Sequence, residues 1–246
     1  MGIPLSPRTS WFSLRRSRII FGALIVTLLV GGLMLYRWLG RGSGRMTRIY
    51  RYLSDPQAHA DMAIIAGERC GEAPFVMPSD GIIGFLWGDS FGLGHSHQGL
   101  DIFGASEVGQ TPVVAAYDGY LRRSSNWRSA VIIRHPEDPL HSGRQIWSYY
   151  SHMADAEGTS YIDSAFPPGT TEVFVKAGTL LGYQGNYSGD PANPTGIHLH
   201  FSIVLDDGAG TFKNELEIDN TVDPLPYLGI DPEEVRESEQ LTICTR

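Results

Sequence analysis

Beyond position 73 the chain alternates short apolar runs with glycine and polar turns. GIIGFLW (81–87), LDIFG (100–104), TPVVAAYDGYLRR (111–123), SAVIIRH (129–135), QIWSYYSHM (145–153), EVFVKAGTLLGYQG (172–185) and IHLHFSIVL (197–205) are rich in β-branched and aromatic residues. Runs this short, closed by frequent turn signals, predict strands of a mainly antiparallel β domain. Long amphipathic helices do not alternate with them, which argues against a doubly wound α/β fold. VVAAYDGYL (113–121) and VKAGTLLGY (175–183) echo each other weakly. Between the strands, residues 154–172 form a polar connection with proline and glycine, long for a hairpin and placed to line a groove.

A different pattern precedes this region. Residues 19–39, IIFGALIVTLLVGGLMLYRWL, are apolar apart from Thr27 and Arg37. At roughly 1.5 Å per residue the run crosses a hydrocarbon layer of roughly 30 Å. It is longer than the apolar part of a cleavable signal and no A-x-A site follows, so a retained transmembrane anchor is expected. Arginines flank both ends, so charge alone does not orient it. Residues 40–72 read as a juxtamembrane linker with room for a short helix. Past Asp206 the chain turns acidic, and DPEEVRESEQ (231–240) predicts one or two exposed helical turns.

Charge sharpens the division. The net charge is −8, yet every acidic residue lies beyond position 51, and nine of the 19 basic residues, all arginines, lie at or before it. The remaining ten basic against 27 acidic residues leave −17 on residues 52–246. Nucleic acid is thereby excluded as a partner of the domain, because phosphate binding needs clustered lysine and arginine. The two cysteines, Cys70 and Cys244, stand near the two ends of the domain. Outside the cytosol they are free to form a disulfide, worth roughly 4–5 kcal/mol in the chain-entropy model; two thiols are the alternative.

Ile197-His198-Leu199-His200-Phe201 sets two histidines two residues apart in a strand-like run, which puts both imidazoles on one face. An isolated H-x-H is more often a pair of polar surface positions. His97-Gln98-Gly99-Leu100-Asp101 changes that by adding a third imidazole and a carboxylate. Three protein ligands and an open position are the arrangement of a catalytic zinc. Such an ion lowers the pKa of its water towards roughly 7 and polarises a carbonyl. A further histidine beside it can move a proton or stabilise an oxyanion, and His152, in Tyr149-Tyr150-Ser151-His152-Met153, is the best candidate. Spacing alone leaves open which histidine of the H-x-H ligates. His95 lacks a matching carboxylate, and His59, His135 and His141 show no partner pattern and read as surface residues.

His97-x-x-x-Asp101, Tyr150-Ser151-His152-Met153, the run GTLLGYQG (178–185) and Thr195-Gly196-Ile197-His198-Leu199-His200-Phe201 resemble, in this order, the lysostaphin-like or LytM-type zinc endopeptidases. The resemblance covers about residues 78–205. It implies a mainly β fold, an antiparallel sheet and sandwich hybrid of the lysostaphin-like peptidase type, here preceded by one transmembrane helix. It also implies one zinc held by His97, Asp101 and His200, with His152 and His198 assisting the attacking water and the tetrahedral intermediate.

The family cleaves cross-bridge or stem peptides of bacterial peptidoglycan, which implies a single-pass inner-membrane protein with its domain in the periplasm or at the cell surface. The divisions expected are a cytoplasmic segment (1–18), the anchor (19–39), the linker (40–72), the peptidase domain (73–206) and an acidic extension (207–246). Three features depart from the family: the stretch between Ser90 and His97 is short, Ser202 stands where many relatives carry Glu, and the segment 154–172 is longer than the usual connection. The rival function is a non-catalytic scaffold or activator of amidases on the same fold.

Overall fold

A computed structural model describes residues 24–33, 46–90, 94–104, 107–232 and 235. The chain divides into two compact units, Met1–Gly44 and Arg45–Arg246. In the first, residues 24–33 are helical with exposed side chains. The rest of the expected anchor lies outside the described residues, and among the described residues no helix is long and apolar enough to cross a membrane.

The second unit is antiparallel throughout its paired strands, as the short apolar runs predict. Its strands are β1 (Ile82–Ile83), β2 (Leu100–Phe103), β3 (Pro112–Val114), β4 (Gly119–Arg122), β5 (Val131–His135), β6 (Ile146–Ser151), β7 (Val173–Val175), β8 (Leu180–Tyr183), β9 (Leu199–Leu205) and β10 (Thr221–Val222). Among the described residues eight of them form one sheet in the order β1-β2-β9-β6-β5-β4-β7, with β10 also paired to β9, and β3 pairs with β8 in a small second sheet.

The weak echo in the sequence now has a structural meaning. Each copy is a strand, a tight turn and a strand, and the two units pair crosswise: β3 with β8, and β4 with β7.

Because side chains alternate across a strand, the main sheet has two differently built faces. Leu100 and Ile102 of β2, Leu199, Phe201 and Ile203 of β9, Ile146 and Tyr150 of β6, and Val131 and Ile133 of β5 all join the principal core. The small sheet contributes Val113 and Leu181 to that core, and the segments either side of the strands add Phe75, Met77, Leu225, Tyr227 and Leu228. On the other face Ile132, Trp147 and Val204 form a separate apolar cluster with Trp127, Tyr149 and Phe212 packed against it. Further along this second face of β2 and β9 the alternation places Asp101, His200 and Ser202.

Both flanking regions are built into the domain. A helix at 46–54 packs Ile49 and Tyr52 with Met62 and Ile82. After β9, the chain adds β10 to the sheet and sends Leu225, Tyr227, Leu228, Ile230 and Val235 into the principal core. The connection 154–172 bridges Ile162 to Gly182 and buries Ile162 and Phe166. Of the expected helical turns at 231–240, most residues lie outside the described set. Cys70 is 6% exposed; Cys244, its expected partner, lies outside the described residues.

Candidate metal centre

Register builds the centre. In the pairing of β2 with β9, Asp101 stands directly opposite His200, so both side chains leave the same face as nearest neighbours. On the far side of β9, Ser151 of β6 is paired with His200, which brings the next residue, His152, alongside. His97 precedes β2 in a loop fixed by its own backbone: its amide donates to the Asp89 carbonyl, and its carbonyl accepts from Gly88. Gly99 allows this loop to lie on β9, since a Cβ there would stand 2.5 Å from the Phe201 carbonyl oxygen and 3.0 Å from the His200 ring.

The donor atoms converge. His97 Nε2 lies 3.0 Å from Asp101 Oδ1 and 3.0 Å from His200 Nδ1, and His200 Nδ1 lies 2.9 Å from Asp101 Oδ1. His97, Asp101 and His200 are thus brought together as a buried cluster able to hold a metal ion. His198 Nε2 stays 3.7 Å from the same carboxylate oxygen. Of the H-x-H pair, His200 and not His198 shares the donor triangle. His152 and His198 sit beside it, their rings 4.5 Å apart, with the His152 ring 6.1 Å from that of His200. His95 is exposed and outside the cluster.

Outer partners set which nitrogen carries each proton. A backbone carbonyl only accepts, so the ring nitrogen facing one must donate. His97 gives its Nδ1 hydrogen to Leu86 O at 3.0 Å, His152 to Tyr187 O at 2.6 Å, and His198 to Gly196 O at 2.7 Å. In the neutral rings, Nε2 then carries the lone pair. His200 is reversed: its Nε2 faces Glu215 Oε1 at 2.8 Å, leaving Nδ1 for the triangle.

Three acceptor atoms, two imidazole lone pairs and a carboxylate oxygen, therefore point at one another, an arrangement that repels unless a cation is shared among them. Ligands of a tetrahedral zinc held at about 2.0–2.2 Å stand roughly 3.3 Å apart, close to the spacing of these atoms. The N, O, N set thus fits the ion that the sequence implies.

Electrostatics divides the four histidines. Burial opposes a charge on His200, but hydrogen bonds to Asp101 and Glu215 outweigh it and push its pKa up to about 10. In the absence of a metal a proton fills the triangle. Burial alone would raise Asp101; the hydrogen bond with His200 and the close approach of His97 hold it well below the usual carboxylate range. His152 goes the other way: burial, then the neighbouring His198, push it down to about 4. Burial likewise lowers His198, against the pull of Asp101. Both are neutral at pH 7.

His152 is also strained. It has φ 65°, one of two non-glycine residues with positive φ among those described, and such strain concentrates at functional sites. Among the described residues only Asn186 Oδ1 and Thr195 Oγ1 are buried side-chain polar atoms lacking a hydrogen-bond partner. They neighbour Tyr187 and Gly196, whose carbonyls orient the two outer histidines.

Sequence reasoning missed two residues. Glu215 lies in the acidic stretch after β9 and follows no ligand spacing. Ser202, the departure from the family, donates its hydroxyl to Glu215 Oε1 at 3.2 Å. The surface reading of His135 is corrected. It is 0% exposed, donating from Nδ1 to the Asp118 carbonyl and meeting the Ser148 hydroxyl at Nε2, 2.8 Å away.

Fold and site together define an antiparallel β protein with a buried His-Asp-His cluster able to hold a metal ion. No protein-family profile and no curated protein matches the chain. Solved structures do. The catalytic domain of the antimicrobial peptidase lysostaphin from Staphylococcus simulans is similar at 21% identity and a TM-score of 0.40, over 60% of this chain and 91% of that one.

Intact lysostaphin gives 21% and 0.40 over 67% of this chain, which spans only 54% of the lysostaphin chain. A putative M23 peptidase from Pseudomonas aeruginosa gives 24% and 0.38, over 75% of this chain and 62% of that one. The chemistry open to this chain follows from its own donor atoms.

Proposed function

We propose that this protein is a zinc-dependent endopeptidase acting on peptides of bacterial peptidoglycan, on the extracytoplasmic side of a membrane to which residues 19–39 anchor it. One observation carries the reading. A metal-competent triangle of His97, Asp101 and His200 is flanked by two neutral histidines, His198 buried and His152 half-buried, whose Nδ1 hydrogens are committed elsewhere.

Zinc bound there supplies an acidified water and a Lewis acid for the scissile carbonyl. The chain's own residues do the rest. Asp101 supplies the negative charge, and His97 and His200 supply neutral nitrogens. His152 and His198 begin as proton acceptors through Nε2. A proton taken by either turns that ring into a donor, able to stabilise an oxyanion or to release the proton to the leaving amine. The strained backbone of His152 and its bond to Tyr187 hold it ready for that exchange.

The test is digestion of isolated sacculi by the purified, zinc-loaded full chain, with mass spectrometry of the soluble products. Release of peptide-cleaved fragments that stops with a chelator and returns with zinc is expected. Intact sacculi after incubation with metal-loaded protein would refute the activity.

A further inference from the structure

The four histidines of the centre differ in what stands behind them. Three rest on uncharged carbonyls, of Leu86, Tyr187 and Gly196. Behind His200 stands an ionisable group, Glu215, which reaches it from a segment with no strand pairing to β9 at that point. We propose that Glu215 is a positioning residue for the metal: its carboxylate holds His200 in the tautomer and orientation that present Nδ1 to the ion. This rests on the reading that His97, Asp101 and His200 form a metal site.

Three observations support it. First, the contact is direct, Oε1 to Nε2 at 2.8 Å, and little of either side chain meets solvent, 13% of Glu215 and 10% of His200. A carboxylate behind a ligating imidazole fixes the ring and raises its basicity. Second, the charges balance: Asp101 and Glu215 together carry two negative charges, matching a divalent ion in a place where unpaired buried charge is costly.

Third, the segment is built to deliver this side chain. Lys213 N donates to Leu205 O at the end of β9, and Gln98 Nε2, next to His97, donates to Leu216 O at 2.8 Å. Between them Asn214 accepts from Leu216 N at 3.2 Å and donates to Glu217 at 3.1 Å, while Asn220 donates to the Asn214 carbonyl at 3.0 Å. Ser202 Oγ steadies the carboxylate oxygen itself. Glu215 is therefore clamped from two sides, one of them the loop that carries His97.

The test uses the full chain and zinc alone, with affinity read by competition against a chromophoric chelator and the melting temperature of the metal-free protein read in parallel. Glu215→Ala is expected to weaken zinc binding about 10–100-fold. Glu215→Gln, which keeps an acceptor but no charge, is expected to lose less. The metal-free melting temperature should fall in Glu215→Ala, because His200 loses its partner, so zinc affinity is compared at a temperature where parent and variants are fully folded. In cobalt-loaded protein, the visible absorption of Glu215→Ala should shift as His200 loosens. Zinc affinity unchanged in Glu215→Ala overturns the proposal. So does a loss in both variants fully accounted for by lower metal-free stability. If the parent chain binds no zinc, or His200→Ala binds it as tightly as the parent, the metal reading itself fails, a result distinct from either.

Discussion

His135 closes β5 on the core face of the main sheet, and His200 lies in β9 on the opposite face. Both are buried, and both ring nitrogens of each have partners. The partners of His135 are a carbonyl and a hydroxyl. Neither hydrogen-bond partner is charged, and burial pushes its pKa down to about 4 against the weaker pull of the Asp138 and Asp118 carboxylates. Phe75 and Tyr117 flank it with ring centroids at 5.5 and 5.6 Å. The partners of His200 are Asp101 and Glu215, which hold a positive charge in place whether a proton or a metal brings it. Burial alone therefore does not decide what a histidine does; the charge of its partners does.

The contrast can be broken at its strongest point first. His200→Ala should abolish zinc binding and peptidase activity together, whereas His135→Ala should leave zinc affinity within a few-fold of the parent and lower stability instead. Competition titration and thermal melting on the two variants decide this, and zinc retained by the His200 variant would sink the assignment.

Next comes His152, near the triangle but outside it. His152→Ala should keep the metal and lose about 10²–10⁴-fold in turnover, the usual contribution of a general acid or base. Loss of zinc in that variant would make His152 a ligand.

The smallest expected effect separates the faces by pH. An unfolded chain protonates His135 as pH falls through its ordinary 6.5, whereas the folded chain resists until about 4. The unfolded state binds more protons across that window, so stability present above pH 6.5 declines on acidification. The loss by pH 4 is about 3 kcal/mol. Denaturant unfolding at intervals from pH 7 to 4 should show this slope, and His135→Gln should flatten it. Parallel slopes in the two proteins would contradict the assignment.

Much of the fold was legible because strand patterning has a period of two. The same period predicts that His198 and His200 share a face, and the four-residue step from His97 to Asp101 supplied the remaining donors. What the sequence left open was which of the paired histidines ligates, because that depends on Asp101 standing opposite His200 in the register of β2 and β9. His135 was readable in principle, since it follows Val131 and Ile133 at the same spacing and so inherits their buried face. A lone histidine without a partner pattern offered no reason to apply that rule. Glu215 was not readable. It reaches His200 from a loop 15 residues on, amid many acidic residues, and loop-borne contacts leave no periodicity.

Asp101 and His200 are 99 positions apart in the chain. During synthesis, then, the ribosome releases His97 and Asp101 long before the strand that completes their triangle. Until β9 docks between β2 and β6, the nascent chain offers zinc two ligands, too few to compete for the ion. Loop closure over such a distance is a late and slow step in folding. Under the proposed zinc function, tight uptake of the ion would report that the sheet has closed, and a premature stop before β9 would yield a chain unable to acquire it.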